Sequence, residues 1–165
     1  MNSVAWAVPI GIGATIVMDL WAVIQLMAGV KGLDYAMVGR WLGHMTRGQF
    51  VHTSIAAAPA IRGERAIGWV AHYATGIAFA ALLVAICGPS WVAAPRLLPA
   101  VAFGIATVAI PFLIMQPGMG LGVAASKTPA PWMARLRSAA THAVFGLGLY
   151  AAARALAMLR EVWSV

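Results

Sequence analysis

Four long apolar blocks separated by polar stretches set the pattern of this chain. They run over about 5–28, 66–86, 97–116 and 136–158, each roughly 20 residues and long enough as a helix to cross a hydrocarbon core. Helix breakers stand where they matter: Gly88-Pro89 closes the second block, and Pro111 should kink the third. Between the first two blocks, Val38, Trp41, Leu42 and Met45 keep helical spacing while Arg40, His44 and Arg47 gather on the other side. That spacing predicts an amphipathic helix lying in the membrane interface, with the polar side wet. The fold class is therefore all-α: an integral membrane four-helix bundle with an added interfacial helix. It forms one membrane domain over 1–165, with long connections at 29–65 and 117–135.

Composition agrees. The chain is 62% hydrophobic and 9% charged, where an ordinary soluble domain carries about 25% charged residues. A net charge of +7 would suit nucleic acid, but the cations flank the apolar blocks, so no nucleic acid partner is expected. Lys31, Arg40, Arg47, Arg62, Arg65, Lys127, Arg135 and Arg137 lie in or beside the two long connections, against Arg96, Arg154 and Arg160 on the opposite side. The positive-inside rule then puts those connections in the cytoplasm and both termini in the periplasm. The partners this implies are the lipid bilayer and anionic headgroups, met by Arg40, Arg47, Arg62 and Arg65. Small-residue faces suit a homo-oligomer or a larger membrane complex. The first block lacks a basic leader, carries Asp19 and is too long for a signal-peptide core, so it reads as a retained helix. A lone cysteine, Cys87, leaves no internal disulfide.

Glu64, Gly68, His72 and Gly76 stand four apart, one slanted ridge drifting about 40° per step. Gly11, Thr15 and Asp19 form a similar small and polar stripe on the first block. His72-Tyr-Ala-Thr-Gly76-Ile is echoed by His142-Ala-Val-Phe-Gly146-Leu, each early in an even-numbered span, which points to two parallel helix pairs. By helical rise His72 and His142 lie about 9 Å inside their cytoplasmic helix starts, and Asp19 about 13 Å from its own end. Gln116 closes the third span on the same side.

Met18-Asp19-Leu-Trp, Leu33-Asp-Tyr-Ala-Met-Val-Gly-Arg-Trp-Leu-Gly-His44, Arg62-Gly-Glu64 with Gly68-Trp-Val-Ala-His72-Tyr, Met115-Gln-Pro-Gly-Met-Gly120, and Thr141-His-Ala-Val-Phe-Gly-Leu-Gly-Leu-Tyr150 are all present. Together they resemble a family of small bacterial inner-membrane proteins, domain of unknown function 2938. The resemblance covers nearly the whole chain and implies four spans. It supplies no activity and no catalytic residue.

Ionisable groups inside spans are costly and are functional candidates by default. Asp19, His72, His142 and Gln116 are therefore the expected polar cluster, with Glu64 as a carboxylate at the water boundary. They suit a small transporter or channel handling protons, a cation or a small polar solute. The bland reading is a set of interhelical hydrogen bonds that fix register. The alternative function is an accessory subunit of a larger membrane complex, with His72 and His142 ligating haem or pigment. Asp19, His72 and His142 would be the ligands of any metal; no cofactor is the default. His44 and His52 read as a wet interfacial face. Gly118-Met-Gly120-Leu-Gly122 before Ser126-Lys127-Thr128 lacks the phosphate-loop spacing and follows a helix. With four acidic residues, no GxSxG and Cys87 remote from His72, an enzyme is the less favoured class.

Overall fold

The computed structural model describes residues 3–30 and 32–163. Lys31, counted among the basic residues of the first connection, lies outside them, as does the Glu161 side chain. The described residues are helical with no strand. The order is α1 (Ser3–Met27), α2 (Tyr35–Met45), a 3₁₀ turn (Ile55–Ala57), α3 (Glu64–Cys87), α4 (Pro89–Ala93) and α5 (Leu97–Ala106). A π turn (Pro111–Met115), α6 (Gln116–Gly118), a 3₁₀ turn (Val123–Ala125) and α7 (Pro131–Trp163) follow.

Four stretches are long and apolar enough to cross a membrane: Ala5–Met27, Glu64–Cys87, Leu97–Gly118 and Pro131–Arg160. At most a third of each window is buried within the protein, and Leu20, Leu26, Val70 and Leu98 stand outward. An apolar exterior of this extent needs a hydrocarbon solvent. The third stretch is interrupted, as its proline predicts. Pro111 has no N–H to give the carbonyl of Thr107; α5 stops at Ala106, and a π turn carries the chain from Pro111 into α6.

The chain forms two compact units of interleaved segments. The first takes α1, Tyr73–Thr107 and the chain from Ala140 onward. Its core holds Ile10, Ala14, Leu83, Trp91, Phe145 and Leu149. Small residues set the spacing, as is usual between membrane helices. A Cβ on Gly11 would lie 2.5 Å from Cα of Ile77, and one on Gly104 would lie 2.5 Å from Cα of Gly146. The glycine four residues after each sequence-repeat histidine thus packs on the preceding odd-numbered span.

The second unit is Gly32–His72 with Val108–Ala139. Asp34 caps α2 through the Ala36 N–H at 2.9 Å. The polar side of α2 does not face water as its pattern suggested: Ala36, Gly39, Arg40, Trp41 and His44 are buried. Trp41 packs with Ile55, Met119, Met37, Met45 and Met115, and its ring N–H donates to the Phe50 carbonyl at 2.8 Å. Residues 52–55 are held to α6 and its exit by the His52 N–H on Gly118 O (2.9 Å) and the Ile55 N–H on Met119 O (3.0 Å).

Candidate functional site

Of the residues singled out by depth, Asp19, His142 and His72 each acquire a specific partner. In the first unit, the Tyr73 hydroxyl donates to Asp19 Oδ2 at 2.8 Å. His142 Nδ1 lies 2.8 Å from Thr107 Oγ1, and that hydroxyl donates to Gly104 O at 2.6 Å. A hydroxyl has one proton and a carbonyl can only accept. His142 therefore donates through Nδ1, which leaves Nε2 as a lone pair.

In the second unit, His72 Nε2 sits 3.0 Å from the Tyr35 hydroxyl. Its ring lies 4.4 Å from that of Tyr35 and 5.7 Å, edge-on, from Trp69. Gln116 is buried, and its Oε1 has no hydrogen-bond partner. The hydroxyl partners Tyr35, Tyr73 and Thr107 were not singled out in sequence. Among the described residues, no three His, Cys, Asp or Glu side chains gather as a metal site.

Glu64 is more than a boundary carboxylate. Arg40 meets it through two parallel bonds, Nε to Oε2 and Nη2 to Oε1, both 2.8 Å. Arg40 Nη1 turns to the carbonyls of Ile55, Ala56 and Ala58 at 3.1–3.3 Å. Glu64 Oε2 also accepts the Ile61 N–H at 3.1 Å. Fork-to-fork geometry of this kind uses the planar guanidinium fully, and the carboxylate raises the Arg40 pKa above its ordinary value through the hydrogen bond. Arg40 is thus committed to the protein interior, not to anionic lipid as its loop position suggested. Arg47, Arg62 and Arg65 remain exposed.

His44 and His52 depart furthest from expectation. Read as a wet face, both are buried, at 4% and 6% exposure. His52 Nε2 and His44 Nδ1 are 3.1 Å apart. The outer nitrogens reach backbone carbonyls: His44 Nε2 to Pro59 O at 2.9 Å and His52 Nδ1 to Gly118 O at 3.3 Å. Gln49 Oε1 lies 3.1 Å from His44 Nδ1. The turn that ends α2 delivers it there. Gly48, at φ +78°, takes the left-handed step, so the Gln49 N–H folds back onto His44 O at 3.1 Å. A shallow hollow of about 340 Å³ opens beside the pair, lined by Gln49, His52, Thr53, Ser54 and Pro59 among others. The sequence signal was the four-residue step Ala36, Arg40, His44, a stripe whose small first member permits burial.

The model of a family described as a protein of unknown function, DUF2938, matches residues 8–156. No curated protein and no solved structure matches the chain.

Proposed function

Because the chain belongs to the DUF2938 family, whose description leaves the activity open, we propose from its own residues that it is a small transporter or channel-like protein. It sits in the bacterial inner membrane with both termini periplasmic, and moves protons, a cation or a small polar solute. Asp19, His72, His142 and Gln116 are the groups that carry this activity. The observation behind the reading is the Tyr73–Asp19 hydrogen bond, 2.8 Å long, between two stretches able to cross a membrane. A carboxylate at such a position is expensive to place in an apolar helix and is a functional candidate for that reason. His142 offers the same kind of group, a lone pair on Nε2 fixed by Thr107. A carboxylate and an imidazole held by hydroxyls can exchange protons without giving up those partners.

The test is flux. Purified protein in liposomes loaded with a pH-reporting dye should dissipate an imposed proton or cation gradient faster than empty liposomes. Asp19→Asn should abolish the difference while its helix content and elution volume stay unchanged. Wild-type flux equal to that of empty liposomes, or full flux in Asp19→Asn, overturns the reading. A haem-binding accessory subunit is the weaker alternative, because His72 Nε2, a nitrogen suited to iron, is engaged by Tyr35. A Soret band in the purified protein would favour it.

A further inference from the structure

His44 and His52 face each other with their inner nitrogens 3.1 Å apart and their outer nitrogens on backbone carbonyls. Pro59 O and Gly118 O only accept, so both contacts are hydrogen bonds when His44 Nε2 and His52 Nδ1 carry hydrogen. In neutral rings the inner nitrogens, His44 Nδ1 and His52 Nε2, are then both lone pairs, 3.1 Å apart. Flipping either ring would forfeit its carbonyl bond. Gln49 Oε1 adds another lone-pair atom, 3.1 Å from His44 Nδ1. With the rings and the amide placed this way, His44 Nδ1 has two lone-pair atoms at 3.1 Å, and a cation seated among the three would satisfy them together. Arg40, on the same face of α2, does not provide it: its guanidinium is spent on Glu64 and three carbonyls.

We propose that His44, His52 and Gln49 bind one divalent transition-metal ion of the zinc type. The spacing fits. Two imidazole nitrogens at about 2.0–2.1 Å from one zinc lie about 3.1 Å apart when the angle at the metal is near 100°. The rings are inclined at 58° with centroids 5.0 Å apart, converging without stacking. The outer bonds to carbonyls are those that metal-binding histidines need, since they fix the tautomer and leave the inner nitrogen free to ligate. Imidazole nitrogen with amide oxygen suits zinc, nickel or copper(II) better than magnesium or calcium. The neighbouring hollow gives the ion a way in from solvent, and Thr53 and Ser54 line it. With three protein ligands the ion keeps an open position, as a site for uptake, exchange or regulation would. This inference concerns residues outside the transport proposal and does not rest on it.

The experiment is titration of the full-length, detergent-purified, metal-stripped protein with zinc chloride, followed by calorimetry. Cobalt(II) serves as a second probe, whose visible absorption reports the ligand field. One zinc per chain, displacing cobalt and raising the unfolding temperature, is the expected result. His44→Ala and His52→Ala should each lose the site. Gln49→Leu, at an exposed position of the α2 exit turn, should fold normally and bind zinc roughly 10-fold more weakly or worse. Wild-type protein that takes up neither zinc nor cobalt at pH 7.5 overturns the proposal. Undiminished zinc binding in folded His44→Ala and His52→Ala overturns it equally. A liposome flux result of either sign leaves these outcomes unchanged.

Discussion

Gly39 of α2 and Gly68 of α3 press into each other's helix backbone: a Cβ on Gly39 would run into Glu64 O, and one on Gly68 into Tyr35 O. The two contacts are reciprocal and each meets main chain, which cannot turn aside as a flexible side chain can. This crossing brings Arg40, next to Gly39, onto Glu64, four residues before Gly68. Either glycine replaced by alanine must separate the helices or bend one of them. We expect Gly39→Ala and Gly68→Ala to lose stability by about 1–3 kcal/mol or more, the range of overpacking in a tight core. Thermal unfolding in detergent, followed by circular dichroism, measures it. Gly32→Ala, where an added Cβ has nothing within 4 Å, is the control that should change little.

The Arg40–Glu64 pair yields a prediction about coupling. Removal of one partner leaves the other desolvated and without its counter-charge, the costly case for ion pairs away from water. Arg40→Met and Glu64→Gln should each lower the unfolding temperature, and Arg40→Lys should rescue only in part, because an ammonium cannot make the two-pronged contact. The double variant Arg40→Met/Glu64→Gln should be no less stable than the worse single variant. A double-variant cycle reads the interaction directly; full additivity of the two losses would show that the pair contributes nothing as a pair. High salt should narrow the differences only slightly, since the bonds lie at a half-buried carboxylate and a buried guanidinium.

The four apolar helices were legible because block length and composition alone decide whether a segment suits hydrocarbon. The close approach at Gly76 and Gly146 was legible for a related reason: membrane helices touch at small residues, and the sequence shows small residues directly. The interior of the second unit was not. Pattern reading assigns polar residues to water, and Arg40 and His44 share a helix side with Arg47, which is indeed exposed. What distinguishes them is the presence of partners from far along the chain: Glu64 for Arg40, Pro59 O for His44, and Gly118 O, 66 residues away, for His52. A periodicity contains no information about such partners. The hydroxyls of Tyr35, Tyr73 and Thr107 were missed for the same cause. A tyrosine or threonine in an apolar helix resembles its apolar neighbours until the group it bonds is known.

Gln116 separates a structural role from a functional one more sharply than the other polar residues in or beside the spans. Its Oε1 is buried without a partner, a burden that folding alone would remove, since an unsatisfied buried amide costs about 1–3 kcal/mol by protein substitution data. Methionine has nearly the same length and volume and no such demand. Gln116→Met should therefore leave the protein as stable or raise its stability by about 1–2 kcal/mol, a swap that keeps volume and sheds an unmet hydrogen bond. If Gln116 is retained for the transport proposed above, the same variant should lose flux in liposomes, stability and activity moving in opposite directions as they do where a strained group serves function. Unfolding temperature and flux measured on one preparation decide it. A variant that is more stable and fully active removes Gln116 from the functional set, while one that is markedly less stable shows that the amide has a structural bond.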